Sequence, residues 1–269
     1  MISFVGAGPG DPELITIAGA KRLAQAEIVI WASSLIPKEV LVHCDPGATI
    51  YNSASMTLED VTDIYRKNPD QNIVRLHSGD PSIYGAMQEQ IDYCRAEGLD
   101  FEVIPGVTSL AATAARIGRE LTIPKVSQSV IITRLAGKTH ASMPDGEKLE
   151  SFAKIGGTIA IFLAASNPTE VQRALLCDDS AFTANTPVVI AIRASWPDEQ
   201  IIHTTLEHLA QDVLTSGAKR TVLVVVGNSL EGIAARSHLY RPDFAHKFRK
   251  RSLIGTTSGR KTKADPRRL

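Results

Sequence analysis

Three short loops hold the residues of this chain best suited to chemistry. They are Gly6-Ala7-Gly8-Pro9-Gly10-Asp11-Pro12, Ser78-Gly79-Asp80-Pro81-Ser82-Ile83-Tyr84-Gly85 and Pro105-Gly106-Val107-Thr108-Ser109. Their glycines let backbone approach a ligand closely and take positive φ. Together they offer backbone polar groups, the carboxylates of Asp11 and Asp80 and little fixed positive charge. That suits a polar, cationic small molecule better than a polyphosphate. The first loop has the outline of a dinucleotide fingerprint, yet Asp11 stands at the third glycine of GxGxxG and Pro9 removes an N–H donor. The second apolar run ends at Trp31-Ala32-Ser33, with no acid to hold a ribose, so a nicotinamide dinucleotide is disfavoured. Gly137-Lys138-Thr139 imitates the end of a P-loop, but Ile132 occupies the place of its first glycine. The sequence contains no GxSxG elbow, no HExxH pair and no CxxC, and no metal site is expected.

Strands must position these loops. Residues 2–5, 28–31, 73–77 and 101–104 are short apolar runs of the kind buried on both faces of a sheet, and helices are expected over 13–25, 58–67 and 87–96. Each loop directly follows such a run, and open α/β sheets bind ligands beyond the carboxyl ends of their strands. A second series at 130–133, 158–163, 188–192 and 221–226 predicts a second α/β domain. The expected division is an N-terminal domain over 1–118, a linker over 119–128 containing Pro124, a C-terminal domain over 129–240 and a basic tail over 241–269.

The length of 269 residues is consistent with two domains, and the 43% hydrophobic and 22% charged fractions are those of an ordinary globular protein. No window reaches the ~20 apolar residues of a bilayer crossing, so no membrane partner is expected. Nothing at the N-terminus reads as a secretory signal. Cys44, Cys94 and Cys177 are odd in number and far apart, which points to a reducing, cytoplasmic location. The zero net charge hides an asymmetry: residues 241–269 hold ten basic and two acidic residues, leaving 19 basic against 27 acidic in the first 240. A basic tail can touch nucleic acid or an anionic substrate. Residues 259–269 are read instead as a solvated terminus, with no nucleic-acid partner.

In order, spacing and strand context, GAGPGD, GDPxxYG and PGVTS resemble the tetrapyrrole methyltransferases, and the resemblance covers about residues 1–250. Within that family, residues 126–134, 193–199 and 239–246 are similar to the branch that methylates C11 of precorrin-4 in cobalamin biosynthesis, in its cobalt-free and cobalt forms alike. The resemblance implies two α/β domains with S-adenosyl-L-methionine folded into the cleft between them, a small-molecule tetrapyrrole substrate and a homodimer. By position it implies cofactor contacts at Pro9, Ser78, Gly79, Asp80, Ile83, Thr108, Ser109, Leu163, Arg193, Ala194, Thr221 and Val222. The chain departs from the family pattern at Phe162-Leu163-Ala164, where relatives often carry Tyr-Met-Gly, and at Ala194, where glycine is common. Both changes keep small or apolar character.

Methyl transfer from a sulfonium to an electron-rich pyrrole-derived carbon needs no protein nucleophile. Holding the reacting carbons in near-attack geometry can supply up to roughly 7–11 kcal/mol. Asp80 can collect a proton or simply fix its Gly-Asp-Pro turn. A substrate rich in carboxylates, facing a net acidic body, needs local cations. Arg134 and Arg193, at the ends of second-domain strands, are expected to grip it. Arg116, Arg119 and Lys125 flank the domain boundary. Other readings are methylation at a different ring position, such as C2/C7 of uroporphyrinogen III, or an idle module that kept the fold. Three intact loops argue against decay.

Overall fold

The computed structural model describes residues 1–135, 143–232, 237–247, 249 and 252. Gly137-Lys138-Thr139 and most of the basic tail, 259–269 included, lie outside these residues.

Strands β1 (Ile2–Gly6), β2 (Ile28–Trp31), β3 (Thr49–Asn52), β4 (Ile73–His77) and β5 (Phe101–Ile104) form one sheet in the order β3-β2-β4-β1-β5. Every pairing in it is parallel. Alternate residues serve opposite faces, as strand geometry requires. Phe4, Ile30 and Ile73 pack with Val61, Tyr65 and Cys94, whereas Val5, Val29 and Leu76 pack with Leu23 and Val40. Helices α1 (Ile17–Leu23), α2 (Leu58–Lys67) and α3 (Gln88–Ala96) thus cover both faces. Thr57 and Asp60 start α2 with reciprocal side-chain-to-backbone bonds. The expected helix over 13–25 is broken in two. Pro12–Leu14 forms a 3₁₀ turn, and the Thr16 hydroxyl then caps a fresh start by accepting the Gly19 N–H at 3.0 Å.

Helix α4 (Ser109–Arg116) follows, and then the second sheet: β6 (Val130–Arg134), β7 (Thr158–Phe162), β8 (Pro187–Ile192), β9 (Gln200–Thr205) and β10 (Val222–Val226). Its order is β6-β7-β10-β8-β9. Only β6 and β7 run parallel; β10 is antiparallel to both β7 and β8, and β9 to β8. Helices α5 (Leu149–Ala153), α6 (Pro168–Leu175) and α7 (Leu209–Thr215) all cover one face, through Leu149, Val171, Leu175, Leu209 and Val213. The other face, with Ala160, Val189, Ala191, Leu223 and Val225, is covered from earlier in the chain by Leu110, Ile117 and Leu121. Helix α4 therefore precedes residue 118 in sequence but packs against the second sheet. Residues 119–128 are pinned rather than loose. Thr158 Oγ1 donates to the Leu121 carbonyl at 3.0 Å, and Ser127 Oγ accepts the Thr158 N–H at 3.1 Å.

Candidate active site

Parallel pairing ends β4, β1 and β5 side by side, so their three loops leave the sheet together. Backbone meets backbone there. A Cβ on Gly6 would lie 2.5 Å from Gly106 Cα, and one on Gly106 would lie 2.1 Å from the Gly79 carbonyl oxygen. Beyond the sheet, Gly79 donates its N–H to the Gly8 carbonyl at 2.8 Å and accepts the Gly8 N–H at 3.2 Å. Gly79 does this at φ +66°, where a side chain is strained. A Cβ there would meet Thr108 Cα at 3.7 Å, an ordinary contact distance, so a side chain at this position would fill the gap toward Thr108.

Asp80 joins two of these loops. One carboxylate oxygen accepts the Gly106 N–H at 2.9 Å, and the other accepts the Ser82 N–H at 2.8 Å and the Ser82 hydroxyl. Burial works against its charge, but the Ser82 hydroxyl and the Gly106 and Ser82 amides outweigh it and hold the carboxyl below its ordinary range. Ser78 and Ile83 are half-buried on the same loop. Thr108 caps α4, accepting the Ala111 N–H at 3.3 Å, with Ser109 opening the helix.

The facing wall is one edge of the second sheet. Because β10 runs against β7 and β8, its start lies beside their ends. Leu163, Thr221 with Val222, and Arg193 with Ala194 therefore share one edge, and Arg134 joins it through the register Arg134↔Phe162. The Arg193 N–H donates to the Thr221 carbonyl at 2.9 Å. Leu163, Arg193, Ser195 and Thr221 all have φ between 51° and 65°. For a β-branched threonine that conformation is a genuine outlier, and strained residues cluster where a site over-determines them. Three inter-strand steps separate Arg134 from Arg193, roughly 14 Å.

Four contacts join the walls. Trp196 Nε1–H donates to the Pro9 carbonyl at 2.9 Å, and the Asp11 N–H donates to Ser195 Oγ at 2.9 Å. Arg116 of α4 donates to Glu199 at 2.6 Å, while the other oxygen of Glu199 accepts the Ser195 N–H. The Tyr84 and Phe162 ring centroids are 5.3 Å apart. Burial raises the Tyr84 phenol above its ordinary range, and the nearby Arg134 cation pulls the other way. The seven residues expected around a cofactor on the first sheet's loops and the five on the second sheet's edge thus lie on either side of these contacts, with the Val222 side chain turned into the core under α5–α7. Sequence reasoning assigned no role to Tyr84, Trp196 or Glu199. The run Arg193-Ala194-Ser195-Trp196-Pro197-Asp198-Glu199 was the available signal, but its use as a clasp depends on contacts far apart in sequence.

Two α/β layers facing each other across a glycine-lined cleft, one parallel and one mixed, define the class of this protein: the chain belongs to the Tetrapyrrole (Corrin/Porphyrin) Methylases, whose family profile matches residues 1–210. It is 46% identical over 252 residues to the cobalt-precorrin-4 C(11)-methyltransferase of Methanocaldococcus jannaschii, covering 93% of this chain and 96% of that one. It is 40% identical over 254 residues to the precorrin-4 C(11)-methyltransferase of Pseudomonas aeruginosa, covering 92% and 98%. Among solved structures it is similar to a cobalamin biosynthetic enzyme, cobalt precorrin-4 methyltransferase. That match has a TM-score of 0.81 and 39% identity, over 86% of this chain and 96% of the other. A second is the uroporphyrin-III C-methyl transferase of Thermus thermophilus complexed with S-adenyl homocysteine, with a TM-score of 0.70 and 26% identity, over 85% and 98%.

Proposed function

We propose that this chain transfers a methyl group from S-adenosyl-L-methionine to C11 of precorrin-4, or of its cobalt form, giving the precorrin-5 stage of cobalamin biosynthesis. The observation that carries this reading is the 40–46% identity, over more than nine-tenths of the chain, to relatives named for that carbon. The cleft supports it. A side chain at Gly79 would fill the gap toward Thr108, and the T. thermophilus relative is complexed with S-adenyl homocysteine; we take this gap as the seat of the donor. When bound, the donor supplies an electrophilic methyl group. Pro9, Ser78, Gly79, Ile83, Thr108 and Ser109 would hold it from one side, and Leu163, Ala194, Thr221 and the backbones of Arg193 and Val222 from the other. Holding the reacting carbons in line is the main catalytic contribution asked of the protein.

We assign Asp80 to tying the second and third loops together, since both of its oxygens accept hydrogen bonds within them. Arg134 and Arg193 bracket roughly 14 Å of sheet edge, a span suited to a macrocycle with carboxylate arms. On the same reading the enzyme works in the reducing cytoplasm, with which its three free cysteines agree, and as the homodimer that the family resemblance implies. Light scattering on the purified protein tests the dimer. The function is tested by incubating the protein with purified precorrin-4 and methyl-labelled donor and locating the label by carbon NMR. Label at C11 is expected. Label at C2 or C7 of uroporphyrinogen III, with none on precorrin-4, would replace this reading.

A further inference from the structure

We propose that the cavity between the loop after β2 and the turn before β10 seats a carboxylate arm of the tetrapyrrole; this rests on the tetrapyrrole-methylation reading above. The cavity holds about 470 Å³ and takes its walls from both halves: Ser33 and Ser34 on one side, Arg193, Lys219 and Arg220 on the other, with Trp196 at its end. Three cations and the hydroxyl residues Ser33, Ser34 and Thr221 line it, and no carboxylate does. This is out of character for the rest of the chain, whose first 240 residues carry 27 acidic against 19 basic residues. A polyanion is repelled by the body as a whole and must be received where positive charge is concentrated.

The site is built rather than accidental. The Thr221 carbonyl accepts the Arg193 N–H at 2.9 Å, so backbone fixes the Lys219–Arg220–Thr221 turn beside Arg193 whatever the long side chains do. Asp198 pairs with Arg193 at 2.7 Å and the Trp196 ring lies 4.2 Å from its guanidinium carbon, which together aim that group. Across the gap, Asn52 at the end of β3 donates to the Ser33 hydroxyl at 2.9 Å and accepts the Ser33 N–H at 3.3 Å. The hydroxyl hydrogen of Ser33 is left to donate to an incoming anion.

A carboxylate can come from the tetrapyrrole rim or from the amino-acid end of the methyl donor. The rim is the better match, because of the donor's expected wall only Arg193 and Thr221 border this cavity, while Pro9, Gly79, Asp80, Thr108 and Ser109 on the first sheet do not. The macrocycle would then be held at three points along the edge: Arg134 at the end of β6, the Lys219–Arg220 turn entering β10, and Arg193 after β8.

The test is the Lys219→Ala/Arg220→Ala variant together with Lys219→Glu/Arg220→Glu. Both positions are exposed, so folding should survive. The alanine variant should raise KM for precorrin-4 about tenfold while S-adenosylhomocysteine affinity, by calorimetry, stays within about twofold. Charge reversal should cost more, and both losses should shrink between 0.01 and 0.1 M salt, where the Debye length falls from ~30 to ~10 Å. An unchanged KM overturns the proposal. So does a loss of S-adenosylhomocysteine affinity with KM intact, which would give the carboxylate to the donor. A second readout needs no turnover: quenching of the cavity-lining Trp196 by a stable polycarboxylate porphyrin. If the parent protein quenches and the variants do not, the seat stands even should methylation at C11 fail. If the parent methylates precorrin-4 and the variants bind porphyrin equally well, the function stands and the seat falls.

Discussion

The indole of Trp196 donates its N–H to the carbonyl of Pro9 at 2.9 Å, and the same ring carries the Arg193 guanidinium 4.2 Å from its centroid. One side chain of the second half thus fixes the first loop of the first half and aims a cation of its own. Gly10 makes the approach possible, because a Cβ there would lie 2.2 Å from the ring carbon Cδ1. The ring also divides the cleft. The 470 Å³ cavity with its cations lies on one side, and a cavity of about 250 Å³ bordered by Asp11 and Glu39 lies on the other.

Trp196→Phe keeps an aromatic ring but removes the N–H donor and the part of the indole nearest Gly10. A net loss of about 0.5–1.5 kcal/mol is expected, which weakens S-adenosylhomocysteine binding roughly two- to tenfold in calorimetry. Gly10→Ala should cost more than Trp196→Phe, because it drives the whole ring from its seat. Equal affinities for all three proteins would mean that the Pro9 wall is set by something else.

Asp80 gives a clean contrast between tying and proton transfer. Asp80→Asn retains an acceptor for the Gly106 N–H, so cofactor affinity and turnover should each fall by less than about tenfold. Asp80→Ala removes both ties and should abolish cofactor binding. Because hydrogen bonds hold the native carboxyl ionised below its ordinary range, the pH profile of kcat should show no inflection from Asp80 near neutrality. Turnover abolished in the asparagine variant, with cofactor affinity intact, would instead mark Asp80 as the base.

Arg134 lies on the sheet edge beside Tyr84 and away from the donor's cradle. Arg134→Ala should reduce kcat/KM for precorrin-4 roughly ten- to a hundredfold, the worth of a charged hydrogen bond. S-adenosylhomocysteine affinity should be unaffected. Arg134→Lys should restore part of the loss, since an ammonium keeps the charge but not the planar fork. Steady-state methylation beside cofactor titration separates the outcomes, and parental kinetics in the alanine variant would remove Arg134 from the substrate clamp.

His77 sets an acid limit on stability. It is buried at the end of β4, where burial first and the Arg75 cation second push its pKa from 6.5 to about 4, against a bond from its ring to the Gly85 carbonyl at 2.9 Å. The unfolded chain takes up a proton below about 6.5 that the folded chain refuses until about 4. Stability from the neutral ring is therefore complete above 6.5 and lost as pH falls from there to 4, by about 3 kcal/mol in all. Urea unfolding at a series of pH values should show this slope, and His77→Asn, which can still donate to Gly85, should flatten it.

The first sheet was readable because three of its strands are apolar on both faces and their loops carry glycines at telling intervals. β3 and β9 escaped notice because neither carries a clear apolar run; an edge position alone is not the reason, since β5 and β6 are edges too. Thr49, Ile50 and Asn52 are exposed, and neither segment shows a clean alternation. The direction of β10 was hidden for the opposite reason, since Val222-Leu223-Val224-Val225-Val226 is buried throughout and reads alike in either sense. Thr16 and Pro12 could have announced the break near the start of α1, as a capping residue and a helix-starting proline do. The family resemblance supplied Leu163, Ala194 and Thr221. Composition and periodicity alone would not have singled them out, because what they share, a place on one edge where Leu163 and Thr221 take left-handed backbone, exists only once β7, β8 and β10 are aligned.

The position of α4 bears on how such enzymes could be recombined. Leu110, Ile117 and Leu121 shield a face of the second sheet that, among the described residues, no later α-helix covers and only Leu230 of the later chain joins. A crossover placed at residue 118 would therefore pair a foreign α4 with a native sheet, and the chimera would carry a mismatched interior. Exchange just before Thr108 would let α4 travel with the surface it fits. The join would then follow Gly106, whose close approach to Gly6 and Gly79 depends on missing side chains and stays within one parent. New regiospecificity could be imported along that seam with the smallest disturbance to packing.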